Sequence, residues 1–293
     1  MKVGMRLVLV GLVLVITVAM KVNAIVSVDN TSITLDAALK GKLLSTDVKG
    51  SGSYSGNCLK VQFKNLQDKK ISLTIPAGTM FKPSDDGAQN ILVPQDQIFV
   101  LAPKETKTTF VRGFCCEATD HAPAKDMDFT ASVNKDPKMG KLFAFLKGKQ
   151  FPDNLLQEAI WCISNNHEVT SICAPKMDAV KPLRDEVCKI TGQVDTWYNT
   201  PKDHTVDAEG NISNETVRVS GLIKFKALTA SKIHNEIHDE NDVLLVKNPN
   251  EFTVKPGNVE YEFDIKVGGW KKGKYFVKVY EDSKVIHKQE FKI

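Results

Sequence analysis

Past residue 20 the sequence contains no apolar run of the roughly 20 residues that a bilayer-crossing helix requires. It also lacks the Cys-x-x-Cys spacing of structural zinc sites and thioredoxin-like redox centres, so neither chemistry is expected. No Gly-x-Ser-x-Gly elbow, His-Glu-x-x-His pair, phosphate loop, dinucleotide fingerprint or EF-hand loop occurs, and no cofactor is expected. An excess of one charge is missing too: 39 Lys and Arg stand against 35 Asp and Glu, and Lys2, Arg6 and Lys21 account for three of those bases. Without these three the balance is close to neutral, which is not the footprint of a protein that binds nucleic acid or an anionic membrane.

What is present begins with an export signal. Lys2 and Arg6 precede an apolar run from Leu7 to Met20, and Val22-Asn23-Ala24 ends it with the small residues that signal peptidase accepts. Residues 1–24 are therefore predicted to be a removable signal, with the mature chain starting at Ile25, free of any transmembrane segment and destined for a secreted, extracellular or periplasmic location. The remainder is long enough for two domains, each able to bury a core. Six cysteines, Cys58, Cys115, Cys116, Cys162, Cys173 and Cys188, follow the signal. In an oxidising compartment an even number marks all six as disulfide candidates, with the pairing open. Cys115 and Cys116 are neighbours on a predicted strand, so their side chains point to opposite faces. Asn30, Asn211 and Asn214 each stand in an Asn-x-Ser/Thr glycan acceptor.

The period of the apolar residues predicts a mainly β chain with some α: a β-sandwich domain with appended helices, then an immunoglobulin-like β-sandwich. In the first domain, 25–198, residues 58–64 and 71–75 alternate apolar with polar, and further strands are predicted at 97–102 and 107–116. The glycine-rich piece 50–56 reads as a hairpin connection. Helical spacing takes over near 139–147, 152–164 and 182–191, with Pro152 and Pro182 as first helical residues and Gly192 as a stop. Residues 199–213 are polar, hold Pro201 and Gly210, and read as a linker. Seven strand candidates then follow in the second domain, 214–293, at 217–228, 232–238, 243–247, 251–254, 259–267, 274–280 and 285–293. The fifth carries Val259, Tyr261, Phe263, Ile265 and Val267 on one face, and turns spaced about every ten residues are the signature of an immunoglobulin-like sandwich. The string Gly269-Trp270-Lys271-Lys272-Gly273-Lys274-Tyr275 and the alternating residues after it resemble the last strands of Ig-like accessory modules on secreted bacterial proteins.

Candidate chemistry is sparse. His234, Glu236 and His238 alternate on a predicted strand and so share a face, with imidazole and carboxylate as metal-ligand types. Strand rise spaces such residues nearly 7 Å apart, too far for adjacent ligands without a bend, and a solvated sandwich face is the simpler expectation. His167-Glu168 opens like a zinc-protease motif, but Ser171 stands where its second histidine would be.

Gln157 and Trp161 lie one helical turn apart. The string Gln157-Glu158-Ala159-Ile160-Trp161 is similar to one in the thioester domains of bacterial surface adhesins. That resemblance implies an internal thioester in which Gln157 is the acyl partner and Cys115 or Cys116 the thiol, and which captures an amine on a host surface. Taken together, the residues predict an exported, non-enzymatic binding or structural protein of the cell envelope or extracellular space, with an unknown protein or carbohydrate ligand. The alternatives are a secreted hydrolase with an unfamiliar acid pair and a thioester-type adhesin.

Overall fold

Period-two alternation builds most of the chain. The computed structural model describes residues 31–293, which cluster as one compact unit, while the signal, Ile25 and Asn30 lie outside the described residues. In chain order the first half holds β1 (Thr31–Thr34), α1 (Leu35–Lys40), β2 (Leu44–Gly50), β3 (Ser55–Asn65), β4 (Ile71–Ile75) and β5 (Thr79–Pro83). These are followed by β6 (Ile91–Leu92), β7 (Gln97–Leu101), β8 (Thr106–Cys115) and β9 (Phe129–Val133). A six-stranded sheet runs β2-β3-β8-β6-β5-β9, and a three-stranded sheet runs β1-β4-β7. Between them Val61 and Phe63 of β3 and Val111 of β8 pack with Ile71, Leu73 and Ile75 of β4. As expected from its glycines, the 50–56 piece joins the paired strands β2 and β3.

Three helices cover the other face of the large sheet: α2 (Pro137–Leu146), α3 (Asp153–Ser164) and α4 (Met177–Thr191). Leu142, Leu156, Ile160, Leu183 and Val187 meet Leu92, Phe114 and Cys116 there. The Asp136 side chain caps α2 by accepting from the Lys138 N–H at 2.8 Å. Pro152 is the cap of α3 rather than its first residue. Pro182 does not open α4, which starts at Met177; a proline inside the helix removes the one bond its N–H would have donated a turn back, and Val180, Leu183 and Val187 bury the stripe regardless. Gly192 ends α4 in the left-handed region at φ 79°, donating to the Cys188 carbonyl.

The second half holds β10 (Tyr198–Asn199), β11 (Lys202–Val206), β12 (Ile212–Thr216), β13 (Arg218–Ala227) and β14 (Ser231–Asp239). It continues with β15 (Leu244–Lys247), β16 (Phe252–Val254), β17 (Gly257–Lys266), β18 (Lys274–Glu281) and β19 (Lys284–Lys292). Sheet β10-β13-β17 packs on sheet β15-β14-β18-β19, with β16 also on β14. Val219, Ile223 and Phe263 from one sheet fill the core with Ile237, Val277 and Phe291 from the other. Crossing between sheets from β13 to β14, from β16 to β17 and from β17 to β18 is the order of an immunoglobulin-like sandwich. Tyr275 opens β18 and its hydroxyl donates to the Lys271 carbonyl at 2.6 Å, the corner that such sandwiches place at this strand.

The 199–213 stretch is not a linker. The sandwich begins at β10, which already takes in Asn199, and β11 and β12 form a hairpin inserted between the first two strands of the sandwich. The hairpin folds back on the first half, where the Ala122 N–H donates to the Gly210 carbonyl at 2.7 Å and the Thr200 N–H to the Thr170 carbonyl at 2.9 Å. Its polar composition reflects a two-stranded ribbon with one face in water. β10 approaches β13 so closely that a Cβ on Gly221 would lie 2.3 Å from the Trp197 carbonyl oxygen. Gly221→Ala is therefore expected to cost about 1–3 kcal/mol in urea unfolding.

Candidate functional site

The structure joins none of the six cysteines: Cys58, Cys115, Cys116 and Cys162 are buried free thiols, and Cys173 and Cys188 are partly exposed ones. The buried thiols pack as small apolar side chains in the core clusters. Burial pushes the Cys58 and Cys162 thiols up to about 12 and Cys173 up to about 11. Cys115, Cys116 and Cys188 are raised by burial as well. Alternation along β8 separates the adjacent pair, with Cys115 in the cluster that contains Trp161 and Cys116 in the helical cluster.

Gln157 meets Cys115. From inside α3 its carboxamide grips the Cys115 peptide at both ends: the Cys115 N–H donates to Oε1 at 3.2 Å, and Nε2 donates to the Cys115 carbonyl at 2.8 Å. Nine consecutive residues of α3, Leu155 to Ile163, are buried, so this helix is enclosed all round and carries its polar side chains into the interior.

One of those side chains, Glu158, was not singled out by the sequence, nor was its partner on the hairpin. His204 of β11 places Nε2 2.5 Å from Glu158 Oε1, and both side chains are nearly buried, at 13% and 5% exposure. The other ring nitrogen, Nδ1, lies 2.6 Å from Asn214 Oδ1 on β12. With an oxygen facing each nitrogen, the ring is held as an imidazolium. Burial opposes that charge, but the hydrogen bond and charge of Glu158 outweigh it and raise the His204 pKa above 6.5. Burial likewise opposes the carboxylate, while His204 and the Ser171 hydroxyl beside it hold Glu158 below the usual range. Ser171 nevertheless points its hydroxyl at the Glu168 carbonyl, 2.9 Å away, and Glu158 Oε2 has no donor.

Aromatic rings wall this pair. Trp161 lies edge-on to His204 at 5.3 Å, stacks on Tyr54 at 6.0 Å and touches His167 at 5.7 Å. Burial, with Lys202 nearby, lowers the His167 pKa to about 4, so His167 is neutral. A cleft of about 90 Å³ opens beside them, lined by Asn154 and Glu158 of α3, Ser171 and Cys173 of the following turn, and Lys202 and His204 of β11. A second, more apolar cleft of about 170 Å³ lies between α1 and β5 and includes Asp36. Each of these two clefts holds one carboxylate, so neither offers the paired acids that the hydrolase alternative needs.

His234, Glu236 and His238 do share one face of β14, but they are 7–9% exposed, which corrects the expectation of a solvated face. Tyr280 stacks on His234 at 5.3 Å and covers it. Among the described residues no group of three His, Cys, Asp or Glu is arranged to hold an ion. Glu236 instead bridges its neighbours, with Oε1 3.4 Å from His234 Nε2 and 3.2 Å from Lys247 Nζ, and Oε2 3.1 Å from His238 Nε2.

No family model matches the sequence, and no curated protein matches it. Solved structures similar to it include β-glucosidase from Kluyveromyces marxianus in its selenomethionine form, at 11% identity and a TM-score of 0.21. The same enzyme in complex with glucose matches at 10% identity and a TM-score of 0.22. In both, 80% of this chain is covered against 44% of the enzyme, so the chain spans less than half the enzyme's length.

Proposed function

We propose that this chain is an exported binding protein of the cell envelope or extracellular space, and that it captures an amine on its target through an internal thioester between Cys115 and Gln157. The observation that carries the reading is the two-point contact of the Gln157 carboxamide with the Cys115 peptide, across 42 residues of sequence. Cys115 rather than Cys116 is the thiol, since Gln157 bonds the Cys115 peptide and Cys115 packs in the same cluster as Trp161. The thiol is unbridged, as the chemistry requires.

In the forming step the sulfur of Cys115 adds to the side-chain carbonyl carbon of Gln157. The C–S bond forms, the C–N bond breaks, and ammonia leaves with the thiol proton. Burial keeps water from the acyl carbon until a target amine displaces the sulfur, forming an amide and returning the proton to the thiol. The resemblance of Gln157-Glu158-Ala159-Ile160-Trp161 to adhesin thioester domains supports the same assignment.

The intact mass of the exported protein tests it. A deficit of about 17 Da, abolished by methylamine with release of one alkylatable thiol and missing in Cys115→Ala and Gln157→Ala, is the expected result. A full mass with every thiol free makes Gln157 a structural clamp and sinks covalent capture.

A further inference from the structure

The cleft between α3 and β11 contains a charged group without its full set of partners. Glu158 is 4% exposed and is one of the residues lining the cleft, and its Oε2 receives no hydrogen bond. A buried acceptor in this condition forgoes the hydrogen bonds it had in water, at a cost of about 1–3 kcal/mol and more for a charged group. The His204 imidazolium balances its charge from one side, at Oε1, while Oε2 is left without a donor. Lys202 on the same strand lines the cleft and acts on both Glu158 and His204, so the site carries one more positive charge than negative.

Those charges select a ligand. A simple cation would satisfy Glu158 but face His204 and Lys202. A simple anion would satisfy Lys202 and leave Glu158 opposed. An apolar molecule would satisfy neither. The one arrangement that suits all three groups puts a donor against Glu158 and a carboxylate against Lys202, with Asn154 and Ser171 beside them for further hydrogen bonds. A cleft of about 90 Å³ limits the molecule to a few heavy atoms.

We propose that this cleft is a binding site for a small carboxylate bearing a hydrogen-bond donor on the neighbouring carbon, an α-amino or α-hydroxy acid, with Glu158 receiving the donor and Lys202 the carboxylate. The site is independent of the Cys115–Gln157 reading, because it uses the face of α3 toward β11 rather than the face toward β8. It also gives the inserted hairpin a role, since β11 supplies both cations.

Isothermal titration calorimetry on the full chain at neutral pH tests it with four probes: glycine, glycolate, acetate and methylammonium. Saturable binding of glycine, glycolate or both is expected, with acetate and methylammonium weaker by at least about tenfold. Glycine alone identifies an amino acid as the ligand class, and glycolate alone a hydroxy acid. Lys202→Met, at a half-buried position on the same face of β11 as His204, keeps the aliphatic stem and is expected to lose the preference for a carboxylate while keeping the fold. Glu158→Gln is expected to lose the preference for the donor. Acetate binding as tightly as glycine and glycolate, no saturable heat from either acid, or unchanged binding in Lys202→Met overturns the proposal.

Discussion

Arg184→Ala is expected to lower the free energy of unfolding by about 2–4 kcal/mol, because it removes the buried hub of a polar cluster and empties the space that its long side chain fills. Arg184 is 2% exposed on α4, and its partners all lie on the segment that leads into β10. Nη1 donates to Asn199 Oδ1 at 2.5 Å, and Nη2 donates to the Tyr198 carbonyl and to Thr196 Oγ1, each at 3.2 Å. Nη2 also pairs with Asp195 Oδ1 at 2.6 Å. One planar fork therefore fastens the helical layer to the first strand of the second sandwich. Alanine takes one donor each from Asp195, Asn199 and the Tyr198 carbonyl, although Thr196 still donates to Asp195 and to the Tyr198 carbonyl, and it opens a void where the guanidinium lay. Urea unfolding followed by circular dichroism measures the loss. Arg184→Lys should recover part of it, since a lysine restores the charge without the fork. Arg184→Met should also lose less than alanine, because it refills the volume. An alanine variant within about 1 kcal/mol of the parent would falsify the fastening role.

Thermal stability is expected to peak near neutral pH and fall on both sides, for reasons that trace to three side chains around Trp161. His167 is held neutral by burial, with its pKa lowered from 6.5 to about 4. Its contribution is complete above pH 6.5 and is lost as the pH falls from there toward 4, where the folded protein must accept a proton it resists. Glu158 is also lowered, from 4.5, so its contribution is lost at still lower pH as the carboxylate of the folded state is protonated. His204 has the opposite sign. Its pKa is raised above 6.5, so its contribution is complete below that value and is lost as the pH rises through the folded pKa, when Glu158 keeps its charge and loses its cation. Melting temperatures from pH 4 to pH 9 should trace this dome. His167→Asn should flatten the first part of the acid limb and leave the alkaline limb in place, while His204→Asn should lower the maximum and remove the alkaline fall. An alkaline limb that persists in His204→Asn would assign that fall to other groups.

The strands of the second sandwich were legible because their evidence is local. Alternation from Val259 to Val267 places one face inward whatever the rest of the chain does, and Phe263 and Val267 are indeed buried. The same holds for β4, which matches its predicted bounds of 71–75, and for Gly192, whose left-handed φ stops α4 at the predicted residue. Pro182 misled because a proline is a strong local signal for a helix start, while burial of Val180 and Leu183 together stabilises a helix that passes through it.

What the sequence determined by itself is the mainly β character with a helix at α3, the immunoglobulin-like strand count, and the opposite facing of Cys115 and Cys116. These follow from backbone period and side-chain alternation within windows of about ten residues. Only the tertiary structure decided that β11 and β12 fold back as a hairpin, and that Gln157 reaches Cys115 while Glu158 reaches His204. Each of these joins residues far apart in the chain. Glu158 in an apolar helical run has no local mark that distinguishes a buried charge from a solvated one; its partner is supplied by a strand that reaches it only after the sandwich has closed, and desolvation then makes the pairing obligatory.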